Sequence, residues 1–293
     1  MSSKSFSELD ASTVVLAWSR LDIEQKLFFT GSRFTRVNTA LSFLLALLLT
    51  LTFHGILLLA SGTILHDKFI GNGPIPTSIV FLTSWSLAIL FLKWRKLALQ
   101  KKCLKLNVIP DEVDFVLSPS TVDRVFDRML ELVDDPRQFV LFNRISVALS
   151  NLRNIGQVSD VDEILRSQAE SDEAISESSY VLLNGFLWAI PILGFIGTVL
   201  GLSIAIGEFG SVMSASGGNA DQLLPALKNV TGGLGVAFDT TLEALVAALT
   251  IQMLVTFLRK SEQEFLDSCS EYCTGKIVNK LRLLPFHEQP RSS

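Results

Sequence analysis

The sequence predicts an all-α, polytopic membrane protein: four transmembrane helices and a helical cytoplasmic domain. Three observations lead there. Four apolar runs are long enough to cross a hydrocarbon core about 30 Å thick, which takes roughly 20 residues. They lie at 37–60, at 76–97, and twice within 182–258, where a link at 208–229 separates them. Hydrophobic residues make up 48% and charged residues 18% of the 293-residue chain, and the mean hydropathy is +0.42, too apolar for an ordinary soluble protein. Between the second and third runs the apolar spacing is helical, and nothing reads as a strand.

In chain order, residues 1–36 form an N-terminal cytoplasmic segment with no cleavable-signal pattern. Ser12 is placed to cap a helix that carries Val14, Val15, Trp18, Leu21 and Leu27. Such a helix lies on the membrane surface or packs in the cytoplasm; periodicity alone allows both. The first hairpin, 37–97, follows. Arg33 and Arg36 precede it, and Lys93, Arg95, Lys96, Lys101 and Lys102 end or follow it. The links at 61–75 and 208–229 hold one lysine each, Lys68 and Lys228, and Arg259 and Lys260 follow the last run. By the positive-inside rule both termini face the cytoplasm. His54, in the first span, is expected to be a hydrogen-bonded packing residue rather than a proton relay.

Residues 98–181 form the helical cytoplasmic domain. After Ser118-Pro119-Ser120, Ser120 and Asp123 have capping-box spacing, followed by Val122, Val125, Phe126, Met129 and Val133 at helical intervals. Pro136 starts a second helix, which Asn154-Ile155-Gly156 ends, and Ser159 caps a third. No breaker follows until Pro191, so one long helix is expected from about 160 to 207, kinked at Pro191. Its lower part is acidic, with Asp160, Asp162, Glu163, Glu170, Asp172, Glu173 and Glu177 opposed mainly by Arg166. That face is solvated, or forms an acidic vestibule that gathers cations. Residues 259–293 are read as a cytoplasmic tail.

The second hairpin, 182–258, carries the candidate site. Thr198 lies about 24 Å from Leu182, and Thr241 about 26 Å from Leu258, at 1.5 Å per residue. The two hydroxyls therefore reach nearly the same depth, where they form a collar or bond back to their own helices. Gly194, Gly197 and Gly201 on one helix, and Gly233 and Gly235 on the other, make smooth faces that allow close packing. They are read as contacts with other subunits or with a partner helix. Asp239 and Glu243 are one turn apart, Asp239 about 29 Å from the inner end by the same rise. No basic partner is evident for either, so Glu243 is expected to be neutral, hydrogen-bonded or wetted by a pore.

Ala189-Ile-Pro-Ile-Leu-Gly-Phe-Ile-Gly-Thr-Val-Leu-Gly201 resembles the penultimate membrane helix of the MotA/TolQ/ExbB proton-channel family. Gly233-Leu-Gly-Val-Ala-Phe-Asp-Thr-Thr-Leu-Glu-Ala-Leu-Val-Ala-Ala248 resembles its last. The two motifs cover about a quarter of the chain. One departure is that Val236 stands where ExbB and TolQ usually have a glutamate, with Asp239 and Glu243 nearby instead. Four spans with both termini inside are similar to the MotA layout. The resemblance implies a stator-type ion-channel subunit of a bacterial inner-membrane motor. Five copies would surround two copies of a single-span partner similar to MotB, TolR or ExbD, whose aspartate carries H+ or Na+. The ion pathway it implies comprises Thr198, Thr240, Thr241, Asp239 and Glu243. A non-conducting scaffold, and an ExbB/TolQ-type energiser of outer-membrane processes, are the alternatives. Membrane lipid is the remaining partner, and no cofactor is implied.

Other classes fit poorly. Three histidines, at 54, 66 and 287, and no Ser/His/Asp set speak against an enzyme. A net charge of −4 gives no nucleic-acid footprint. Cys103, Cys269 and Cys273 have no histidine near them in sequence, so reduced thiols rather than a metal site are expected.

Overall fold

A computed structural model describes residues 15–27, 29, 31–60, 62–63, 66–71, 73–109, 117–155, 159–216 and 220–281. Seven α-helices longer than a single turn run through these residues: α1 (Thr39–Leu59), α2 (Pro74–Gln100), α3 (Val122–Leu132), α4 (Val140–Ile155), α5 (Ser159–Ser178), α6 (Val181–Ser216) and α7 (Ala220–Lys276). Among the described residues there is no strand beyond two isolated bridges, Leu16 with Val133 and Leu117 with Leu281. Four helical stretches are long and apolar enough to cross a membrane. The chain is thus an all-α, multi-pass membrane protein. It divides into two compact units. One holds 1–38, 93–179 and 260–293, the other 39–92 and 180–259.

The second unit contains the spans. Many large apolar side chains on its helices are exposed, such as Leu59, Trp188 and Phe195, which is how a lipid-facing surface looks when water is not its solvent. Its aromatic packing centres on Trp85, whose ring lies 4.9 Å from Phe186 and 5.1 Å from Phe43. The Trp85 indole donates to Ser42 Oγ at 3.1 Å, so the one polar atom of the ring is satisfied inside the bundle. His54 is hydrogen-bonded at both ring nitrogens, to Thr50 O at 2.9 Å and Thr77 Oγ1 at 3.3 Å, in keeping with a packing role.

The first unit is built on α3, α4, α5 and the C-terminal part of α7. The N-terminal segment is not a continuous amphipathic helix. It forms two single turns, Trp18–Leu21 and Ile23–Lys26, broken at Asp22. Ser12 and Val14 lie outside the described residues. Trp18 is buried with its ring edge-on to Phe139 at 5.3 Å, and the backbone N–H groups of Trp18 and Ser19 both donate to Asp134. These contacts make the segment a packed element of this unit. Lys96 is its anchor. Buried at the end of α2, it donates to Glu24 at 2.6 Å and to the carbonyls of Ser32 and Arg36. Glu24 in turn accepts the Ser32 and Asn38 N–H groups. A second buried network joins four residues, each close to a point where the chain leaves this unit. Thr35 donates to Glu262, Glu262 pairs with Lys93 at 3.3 Å, and Lys93 donates to Ser179 Oγ at 2.7 Å.

Several local expectations are corrected. Ser120 does not cap α3: the N-cap is Thr121, which makes no side-chain cap bond, and its hydroxyl accepts the Ser118 N–H instead. Pro136 starts only a three-residue 3-10 turn, capped by Asp135, before α4 begins at Val140. The expected helix from 160 to 207 is interrupted at Ser179–Tyr180. There the Ser179 hydroxyl donates to Ser176 O at 2.5 Å and receives Lys93, while its backbone N–H keeps bonds to Ile175 O and Ser176 O. Pro191, by contrast, lies inside an unbroken α6. The link read at 208–229 is largely helical, since α6 extends to Ser216 and α7 starts at Ala220. Only 217–219 between them lie outside the described residues. The region after 258 is also helix as far as Lys276.

The acidic face of α5 is not uniform. Asp172 is buried and ion-paired with Arg144 of α4 at 3.0 Å, and Arg144 also donates to Ser270 of α7 at 2.8 Å. Burial pushes the Asp172 carboxyl above its usual range, against the lowering effect of Arg144. Arg166 takes Asp162 one turn away at 3.0 Å, while Glu163, Glu170 and Glu173 are exposed. The three cysteines are free and buried. Burial raises their thiols, Cys273 to about 12, which keeps them protonated and inert.

Candidate functional site

The site lies in the second unit, where α6 and α7 meet. Helical geometry decides which side chains share a face. At 100° per residue, Ala237, Thr240, Thr241 and Ala244 fall on one side of α7. Ala237, Thr240 and Ala244 are buried there. Gly194, Gly197 and Gly201 of α6 are what they approach. A Cβ at Gly194 would stand 2.5 Å from Ala244 Cβ, one at Gly197 2.6 Å from Thr240 Oγ1, and one at Gly201 3.2 Å from Ala237 Cβ. Gly233 reciprocates, with Ala205 Cβ 2.6 Å from where its Cβ would be. Gly194, Gly197, Gly201 and Gly233, read from the sequence as contacts with other subunits or with a partner helix, join two helices of the same chain. Gly235 is different, having nothing within 4 Å of a built Cβ.

Close approach of the backbones brings the hydroxyls together. Thr198 and Thr241 are hydrogen-bonded to each other through Oγ1. Thr198 Oγ1 also reaches Gly194 O at 3.2 Å and Ala237 O at 3.1 Å. Thr241 Oγ1 reaches Gly194 O at 3.1 Å. Each threonine thus bonds both to a carbonyl of its own helix and across the helix pair. A hydroxyl has one proton and two lone pairs, so this pair holds spare acceptor capacity at a fixed depth in the span. Thr240 is turned away from it, buried against Gly197 and donating to Ala237 O at 2.9 Å.

Asp239 and Glu243 do not join this cluster. Each is two residues from Thr241, a rotation of about 200°, which puts both on the opposite side of α7. They face a cavity of about 720 Å³ between α1, α2 and α7. Lys68, from a π-helical turn at Asp67–Gly71, reaches Asp239 at 2.7 Å. The basic partner that sequence reading missed is therefore in the link between the first two spans. Its signal was available: Lys68 is the one cation of that link, and Asp239 was placed near the same membrane surface. Both Glu243 carboxyl oxygens are enclosed and have no hydrogen-bond partner among the described residues.

This geometry makes a sharp prediction about packing. Gly194→Ala should destabilise the hairpin by about 1–3 kcal/mol, as overpacking does, because its contact is with the rigid Ala244. Gly235→Ala should be neutral or stabilising by up to about 1 kcal/mol, from helix propensity. Thermal unfolding of the two variants in detergent checks the contrast.

No group of three or more His, Cys, Asp or Glu side chains that could hold a metal occurs among the described residues. Residues 134–271 match the model of the MotA/TolQ/ExbB proton channel family. No curated protein and no solved structure matches the chain. The matched residues take in α4, α5, all of α6 and α7 up to Glu271, and so include both glycine-lined helices and the Thr198–Thr241 pair. This chain accordingly carries a domain of the MotA/TolQ/ExbB proton channel family.

Proposed function

We propose that the chain is the ion-conducting stator subunit of a bacterial inner-membrane motor complex, with both termini in the cytoplasm. The observation that carries this reading is the Thr198–Thr241 hydroxyl pair. It lies inside the family-matched residues, on two helices packed closely enough to act as one wall. A ring of such walls, five by family resemblance, surrounds a pair of single-span partners whose membrane carboxylate carries the ion. The hydroxyls offer hydrogen bonds to that carboxylate or to a passing H+ or Na+ as it moves. Four spans, with a long helical stretch between the second and third, support a MotA-like layout. The distribution of lysine and arginine around the spans supports the orientation.

A non-conducting scaffold is the second reading. It is favoured by the bonds of both threonines to Gly194 O and Ala237 O, which serve helix packing whether or not an ion passes. An energiser of outer-membrane processes would use the same walls with a different driven partner.

Native mass spectrometry of the complex, purified through this chain, tests the assembly. The expected result is a homo-oligomer of five copies with two copies of a single-span protein that has an aspartate in its membrane helix. A clean monomer would sink the motor reading.

A further inference from the structure

The Lys68–Asp239–Glu243 cavity lies on the side of α7 away from the threonine pair, and the proposed ion path leaves it without a role. Its walls are charged at one end and mainly apolar beyond, with Thr52, Thr83 and Ser84 among the lining residues. The charged end is next to the link between α1 and α2. From there the apolar walls run inward through Val80 and Leu87 of α2 and Leu242 and Val246 of α7. From Ile79 to Leu87 the wall is about 12 Å long at helical rise. Leu242, Val246 and Leu87 are all partly open on the surface of the chain, so an occupant has lateral access from the bilayer.

The charged end has an uneven balance of partners. Lys68 and Asp239 neutralise each other at 2.7 Å, yet both side chains keep about a third of their surface, 37% and 30%. An ammonium has three donors, so Lys68 has capacity for a second anion. Glu243 holds two enclosed oxygens with no donor among the described residues. Within the apolar part of a membrane such a carboxyl calls for a hydrogen-bond donor or a cation. The site therefore asks for one anion beside Lys68, one N–H-bearing cation beside Glu243, and an apolar tail to fill the space between α1, α2 and α7.

We propose that this cavity binds a zwitterionic aminophospholipid of the surrounding membrane. The phosphate lies against Lys68, the primary ammonium donates to Glu243 and Asp239, and an acyl chain lies along the apolar wall. A volume of about 720 Å³ is in the range of sites that take ligands of this size class. An anionic headgroup lacks the cation for Glu243. A quaternary ammonium headgroup carries the charge but no N–H donor.

The proposal depends only on the membrane-spanning fold and needs no ion flux for its test. The complex, purified in detergent and depleted of lipid, is titrated with phosphatidylethanolamine, phosphatidylcholine and phosphatidylglycerol of matched chains, and bound lipid is counted by native mass spectrometry. The expected result is about one phosphatidylethanolamine per chain, half-saturating at a concentration about tenfold below the other two lipids, the worth of one charge-assisted hydrogen bond. Glu243→Gln should remove the preference for the primary amine, and Lys68→Gln should weaken phosphatidylethanolamine and phosphatidylglycerol alike. Equal retention of the three lipids by the unmodified complex, no retained lipid, or an unchanged preference in Glu243→Gln would each overturn the proposal. The comparison of lipids on the unmodified complex decides the matter even where a variant fails to fold.

Discussion

Thr241→Val brings ion flux to background while the complex still assembles. Valine keeps the shape of threonine and removes the hydroxyl that touches Thr198 Oγ1 and Gly194 O. Interhelical hydrogen bonds in membranes are worth about 0.6 kcal/mol on average. Their loss is small beside the glycine-mediated packing of α6 on α7, so the fold survives. The ion-binding property does not, because a methyl neither donates nor accepts. Thr198→Val acts in the same direction, since it removes the other member of the hydroxyl pair. Glu243→Gln serves as the control on the other side of α7, and flux there should stay within about twofold of the unmodified protein. The measurement is ion flux with the partner present and its periplasmic plug removed, alongside gel filtration. Full flux in the Thr198/Thr241 double variant would leave the scaffold as the better reading.

The second large effect concerns the first unit. Asp172→Leu should destabilise it by about 3–5 kcal/mol, as removal of one partner from a buried ion pair does. The reason lies with the group left behind. Arg144 is buried, so without Asp172 its guanidinium charge stands uncompensated between α4 and α7. Arg144→Met should cost less. The Asp172 carboxyl is already pushed up by burial, and it takes a proton once the guanidinium is gone. The double variant Arg144→Met/Asp172→Leu should recover most of the loss, because an apolar pair of similar volume needs no desolvation. Thermal unfolding of the three variants gives the double-mutant cycle. Equal losses in all three would mean that packing, not charge, holds this junction.

The two networks of buried lysine in the first unit show why polar contacts were hard to foresee. Lys93 and Lys96 count in the sequence as two cations at the end of a span. In the fold they are enclosed. Lys96 meets Glu24, 72 positions away, and Lys93 meets Glu262 and Ser179. No local pattern encodes such pairings, because each joins segments that are far apart in the chain and meet only in the fold. The same holds for Asp172. Seven acidic residues on one helix look alike in sequence, and one of them is buried because Arg144 is opposite. The break at Ser179 was equally invisible. Serine continues a helix readily enough, and nothing along the chain marks Ser179 as the one whose hydroxyl Lys93 binds.

What the sequence determined by itself was whatever depends on solvent and on spacing along one helix. Apolar length decided that there are four spans, since a bilayer accepts no shorter run and no unsatisfied backbone. Helical rise put Thr198 and Thr241 at one depth, and the glycine spacing marked the faces of close approach. Tertiary structure alone decided what those faces meet. Gly194, Gly197, Gly201 and Gly233 pack α6 on α7 within one chain, while Gly235 stays open. It also separated residues that chain proximity had grouped: Thr241 turns toward α6, whereas Asp239 and Glu243 turn toward Lys68 and the cavity between α1, α2 and α7. Two residues along a helix turn a side chain about 200°, and which neighbour stands on each side is settled only when the helices pack.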